Sequence, residues 1–217
     1  GYYGVLDHDS EEDSRIYNVK DFPSLKDLRN NIDNTGSQEF KFFKELLSKF
    51  VIHNKNNKDS GHIIFRYSSA GRKTSKSIHP KDMFKKVLGS NLVKNVQFKE
   101  FNSAKNNIKK LNSYLSSKPR KGTTNIVFVK QGLGRGITLK KKQHIQLCYE
   151  SRSSDASTLQ SFIGRLTGYN LKFHPMLEIY TDLSVIDSQR RWLELFTSTS
   201  CDRELSSLQK NITNLLD

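Results

Sequence analysis

Residues 125–129 read NIVFV, and after the asparagine every position is apolar and most are β-branched. A strand with no polar side to turn toward water is covered on both faces, and sheets covered on both faces are mostly parallel, their strands joined by crossover helices. The run therefore restricts the chain to α/β architectures, provided that helical patterns separate the strand patterns. They do. Ser37 caps a helix with the stripe Phe43, Leu46, Leu47 and Phe50, closed by polar residues 54–61. Residues 62–67 (HIIFRY) form the next strand pattern, and Ser68, Ser69 and Gly71 mark a turn. Pro80 opens a helix through Leu88, with Gly89 as its C-terminal cap. A strand at 96–101 and a stripe of Ala104, Ile108, Leu111 and Leu115, ended by Ser117 and Pro119, precede NIVFV. Strands at 144–149 and 176–180 follow, separated by a helix capped by Ser154 or Asp155 and carrying Leu159, Phe162, Ile163 and Leu166. Two amphipathic helices, 185–196 and 203–216, close the chain. The expectation is a mostly parallel central sheet flanked by helices. Residues 1–35 are expected to be a linker or irregular lead-in, 36–182 the α/β domain, and 183–217 a C-terminal helical extension.

Composition narrows the function classes. With 217 residues and 35% hydrophobic content the chain has enough apolar side chains for one substantial core. No apolar run approaches the roughly 20 residues that span a bilayer, and no signal-peptide pattern opens the sequence, so an intracellular, soluble protein with no membrane partner is expected. The first residue is Gly1 rather than Met, as expected of a processed or excised piece. Two cysteines provide neither a disulfide framework nor a metal cluster, and the six histidines lack ligand spacing, so no metal site is expected within the chain. Cys148 reads as a core thiol, and Trp192 and Phe196 as packing residues. The net charge of +14 favours polyanionic partners, nucleic acid foremost. Residues 118–121 (KPRK) and 140–142 (KKK) are the densest basic clusters, each also compatible with a solvated loop.

Two segments carry the chemistry. The first, 129–139 (VKQGLGRGITL), leaves the buried strand where ligands of open α/β sheets bind. Gly132, Gly134 and Gly136 give G-x-G-x-G leading into an extended pattern, which is not the G-x-G-x-x-G that opens a dinucleotide-binding helix. The second, 160–169 (QSFIGRLTGY), lies on the helix after the next strand. Together they resemble motifs V and VI of superfamily 2 helicases, in the C-terminal RecA-like domain. Arg135, Gly136, Ile137 and Thr138 resemble motif V, and Gln160, Gly164 and Arg165 resemble motif VI. The strand 62–67 with Ser68 and Ser69 takes the place of motif IV. Thr138 stands where the family usually has an acidic or amide residue, and the second motif VI arginine is absent. The G-R-x-x-G-Y ending is similar to that of phage and mobile-element helicases, which implies the cytoplasm of a bacterial or phage-infected cell.

The resemblance implies a second motor domain of an ATP-dependent helicase or translocase. Arg165 is then the arginine finger and Gln160 its neutral companion, with Gly134, Arg135, Gly136, Thr138 and Gly164 beside the nucleotide. Ser68, Ser69, Arg72, Lys73, Thr123, Thr124 and Lys130 would line the nucleic-acid track, DNA ahead of RNA. ATP with Mg2+ is the implied cofactor. No G-x-x-x-x-G-K-S/T phosphate loop and no D-E-x-x metal strand occurs in the chain. The metal and most phosphate contacts are therefore expected from a first RecA-like domain in the same or another chain, and this chain alone should not hydrolyse ATP well. A binding module on a catalytically degenerate helicase-like fold is the alternative. A small-molecule nucleotide enzyme ranks last, because no acid, base or nucleophile constellation accompanies the glycine turn.

Overall fold

The computed structural model describes residues 15–67, 78–101, 105–130, 142–150, 174–184 and 187. Among the described residues six strands form one all-parallel sheet: β1 (Ile16–Asn18), β2 (Gly61–Tyr67), β3 (Val96–Phe101), β4 (Thr124–Lys130), β5 (Ile145–Glu150) and β6 (Glu178–Thr181). Their spatial order is β1-β6-β5-β2-β4-β3. The helices are α1 (Leu25–Asn30), α2 (Gln38–Asn57), α3 (Pro80–Val93) and α4 (Lys105–Ser116). Side chains alternate across the sheet. Ile63, Phe65, Ile126, Phe128, Leu147 and Tyr149 pack on one face against α1, α2 and α3. Ile64, Val127, Val129, Cys148 and Ile179 pack on the other with Leu111 and Leu115 of α4. The chain is thus an α/β domain with both faces of the sheet covered, and each fully buried Leu, Ile or Phe contributes roughly 1.5–3 kcal/mol.

Local chemistry accounts for the helix ends. Ser37 Oγ accepts the Phe40 amide at 3.2 Å, and Phe43, Leu46, Leu47 and Phe50 are all buried. The helix continues through Asn54 to Asn57 because Asn54 is a buried core residue rather than the start of a loop. At the start of α3 the cap is His79, whose Nδ1 accepts the Lys81 amide at 3.1 Å, with Pro80 in the first turn. Gly89 has φ 71 and ψ 170, which breaks the helix after Leu88, and helical turns resume as far as Val93.

Residues 15–35 differ from the linker expectation. β1 pairs with β6, and Tyr17 stacks on Tyr180 with ring centroids 4.8 Å apart. Ser24 and Asp27 form a capping box at α1, which drives Leu25 and Leu28 into the core. The lead-in therefore supplies an edge strand and a helix of the domain. The expected helices at 159–166 and 203–216 lie outside the described residues, as does the one at 185–196 apart from Asp187, which is helical.

The amino-terminal ends of the central strands hold a buried polar network. Register shifts between His62 and Ile63, so Gln146 is the extra residue of a bulge in β5. Its side chain makes two 2.8 Å hydrogen bonds with Asn54, and Asn54 Nδ2 also donates to Thr124 Oγ1 at 2.8 Å. His62 is fully buried, its Nε2 lies 2.8 Å from the Ser117 carbonyl, and it packs against the ring of Tyr114. Burial, opposed in part by the Ser117 bond, pushes its pKa down to about 4.

The fold therefore favours neutral His62. Its contribution is complete above the unfolded value near 6.5 and is lost as pH falls from there toward 4. Urea unfolding is expected to show about 2 kcal/mol of lost stability from this residue between pH 7.5 and pH 5. His62→Gln, which keeps a donor for Ser117, is expected to flatten that part of the profile. An unchanged slope in the variant would assign the acid sensitivity elsewhere.

Candidate functional site at the carboxyl edge of the sheet

In a parallel sheet all strands deliver their connections at one end, and a ligand crevice opens where neighbouring connections diverge. β2 lies between β4 and β5, so the chain builds one side of the sheet through β3 and β4 and then crosses to β5 on the other side of β2. The three strands end together. Tyr67 is in register with Lys130, and Arg66 with Glu150.

That register sets an ion pair within the sheet. Arg66 Nη1 lies 2.7 Å from Glu150 Oε2, with side-chain exposures of 3% and 0%. Both groups stand on the face occupied by Ile64, Cys148 and Ile179. Burying two charges is costly in desolvation and removing one of them is costlier still, and the pair joins the ends of β2 and β5 in one register. Burial, with a further contribution from Glu150, keeps the neighbouring Cys148 thiol protonated well above its ordinary range.

On the opposite face three residues from three elements meet beyond Phe128. Tyr67 donates its hydroxyl to Glu100 Oε1 at 2.8 Å, and His79 Nε2 meets Glu100 Oε2 at 2.8 Å. Because His79 Nδ1 accepts the Lys81 amide, Nε2 carries the ring proton and donates. Burial first, then the Glu100 hydrogen bond, raises the Tyr67 phenol far above its ordinary value, so it remains a donor. Both Glu100 oxygens are engaged. The trio thus fastens the ends of β2 and β3 to the start of α3 and leaves no free base.

Of the sequence-derived candidates, Lys130 is the last residue of β4 and its backbone sits beside Tyr67. Ser68 and Ser69 follow β2 directly in the chain. With Arg72, Lys73, Gly134, Arg135, Gly136, Thr138, Gln160, Gly164 and Arg165 they lie outside the described residues. Thr123 and Thr124 require a correction as members of the same track. They stand at the amino-terminal end of β4, a seven-residue strand, which places them about 20 Å from Lys130. Thr124 is fully buried and accepts from Asn54, while the Thr123 hydroxyl donates to the Arg120 carbonyl at 2.6 Å. Arg66, Glu150, Tyr67, Glu100 and His79 were not singled out by sequence. A charged residue at the end of each of two apolar runs, HIIFRY and IQLCYE, was the available signal.

Among the described residues no group of three or more His, Cys, Asp or Glu side chains is able to hold a metal ion. At the opposite end of the sheet two histidines flank one carboxylate. His174 Nε2 lies 3.3 Å and His53 Nε2 3.6 Å from Asp59 Oδ2. The Met176 amide donates to His174 Nδ1, Asn57 Nδ2 lies 3.1 Å from His53 Nδ1, and Gln146 Nε2 stands 3.3 Å from His174 Nε2. No helix among the described residues is long and apolar enough to cross a membrane. Comparisons with protein-family models, curated proteins and solved structures find no match.

Proposed function

We propose that the chain is the second motor domain of a superfamily 2 type nucleic-acid helicase or translocase, working with a first RecA-like domain that binds ATP and Mg2+. One observation carries the reading beyond the motifs. The segments 68–77, 131–141 and 151–173, which hold the motif-like residues, leave the ends of three adjacent parallel strands whose last residues are in register. An arginine finger needs a fixed platform, because its guanidinium must meet the γ-phosphoryl group from across a domain interface. The Arg66–Glu150 pair and the Tyr67–Glu100–His79 contacts supply stiffness at those strand ends. DNA is the nucleic acid favoured.

The test is ATP turnover by this chain together with the phosphate-loop domain that accompanies it, with and without single-stranded DNA. Stimulated turnover that requires both parts supports the motor reading. DNA binding without turnover would favour the catalytically degenerate module, consistent with Thr138 in place of an acidic residue and the missing second arginine of QSFIGRLTGY.

A further inference from the structure

The opposite end of the sheet is also charged, and its basic residues come from separate stretches of chain. Lys55 and Lys58 precede β2, Lys94 precedes β3, and Lys118, Arg120 and Lys121 precede β4. All six are exposed, and among the described residues none forms an ion pair. Asp59 is the one carboxylate in the stretches 58–60, 94–95 and 117–123. It already accepts the Ser60 amide at 2.8 Å and lies 3.6 Å from His53 Nε2 and 3.3 Å from His174 Nε2.

Backbone hydrogen bonds tie these stretches together. The Gly122 amide donates to the Asp59 carbonyl at 2.7 Å, and Ser60 Oγ donates to the Pro119 carbonyl at 3.0 Å. The Thr124 amide donates to the Asn95 carbonyl at 2.9 Å. Arg120 and Lys121 are carried by a turn closed by the Thr123 amide to the Arg120 carbonyl at 3.1 Å, with Gly122 at φ 74 as its third residue. That φ is the left-handed value of a type II turn, where glycine fits without strain. The backbone that carries Lys58, Lys94, Lys118, Arg120 and Lys121 is therefore fixed on folding, so that binding has to order side chains alone.

We propose that this amino-terminal end of the sheet is a second nucleic-acid surface, which grips the phosphate backbone of a duplex. Fixed lysines and an arginine neutralise phosphates without reading bases. Single strands are held in addition by aromatic stacking, and the stretches 55–60, 94–95 and 117–123 contain no aromatic residue. A lipid surface would call for an apolar wedge. The exposed large apolar side chains among the described residues are Ile52 and Ile78, and neither lies in these stretches. This inference does not rest on the motor reading, because the surface is at the other end of the strands from the motif-like segments.

The experiment measures binding of the 217-residue chain to a fluorescein-labelled DNA duplex of about 20 bp, from about 50 to about 200 mM salt. Lys118→Glu/Arg120→Glu/Lys121→Glu is compared with Lys41→Glu/Lys44→Glu, at exposed positions of α2 that neither surface uses, and with the neutral triple K118Q/R120Q/K121Q. The first variant is expected to lose at least about tenfold in duplex affinity, and its log–log salt slope to shrink by roughly 2 to 3. The neutral triple is expected to fall between it and the wild type, with unchanged thermal melting. Lys41→Glu/Lys44→Glu, which reverses charge elsewhere on the domain, is expected to leave duplex affinity within about twofold. Wild-type duplex affinity in both triples would overturn the proposal. So would wild-type binding to phosphatidylserine vesicles, lost in the triples, without any binding to the duplex.

Discussion

Under the motor reading proposed above, Arg165→Ala is expected to lower DNA-stimulated ATP turnover by about 10² or more while ATP affinity stays within roughly tenfold. The difference follows from when the charge is needed. In the proposed motor, ground-state ATP would be held mainly by the phosphate loop and Mg2+ of the first domain, whereas a phosphoryl-transfer transition state concentrates charge on the transferring group and the leaving oxygen, where a guanidinium without a proton to lose is most effective. A hundredfold loss corresponds to about 2.7 kcal/mol of transition-state stabilisation. Gln160→Ala is expected to be milder, because a neutral amide orients a water or the neighbouring arginine but supplies no charge. The sequence spacing of Leu159, Phe162, Ile163 and Leu166 predicts a helix whose apolar side excludes Arg165, so thermal melting is expected to be unchanged. Steady-state turnover at saturating DNA, paired with a melt, decides the matter. Undiminished turnover in a folded variant would remove the arginine-finger assignment and favour the degenerate binding module.

Gly61→Ala is expected to destabilise the fold by about 3 kcal/mol, one of the largest effects available to a single added methyl group. Gly61 opens β2 against the bulge of β5, and a Cβ placed there would fall inside the Gln146 side chain. Gln146 is fully buried and held by Asn54 through two hydrogen bonds, so it cannot swing aside without leaving amide groups of both residues without partners. Overpacking and lost buried hydrogen bonds then add. For a domain of this size the melting temperature should fall by about 6 to 12 °C. Gln146→Ala/Gly61→Ala should recover the steric part and leave the polar part, and the two single variants combined should fail to add. Full additivity would show that Gly61 and Gln146 do not interact.

What could be read from the sequence was whatever depended on neighbours along the chain. Ser37 and its stripe, Pro80, Gly89 and the uninterrupted run in β4 each carry their cause within a few residues, and the elements appear there. Asn54 looked like the start of a polar loop because its partners, Thr124 and Gln146, are 70 and 92 residues away. β1 has three residues and no periodicity to show, and the stack of Tyr17 on Tyr180 joins opposite ends of the domain. Arg66 reads as a polar residue at a strand end, and only the parallel register with Glu150 makes it a core group. For the candidate site, the parallel direction of the strands was implicit in the alternation of elements, whereas their spatial order was not. Nor were the stiffening contacts at the strand ends, since Tyr67, Glu100 and His79 belong to three different elements.

The central position of β2 also governs how the chain must wait while it is being made. β2 is complete long before its neighbours, because β4 follows about 60 residues later and β5 later still. At about 5–20 residues per second, several seconds of synthesis separate β2 from its first central partner. Throughout that interval HIIFRY is a β-prone segment with both hydrogen-bonding edges open, and α2, already synthesised, is available to cover only one of its faces. Growing chains of this protein therefore compete most strongly for one another at the strand that ends up most protected in the finished sheet.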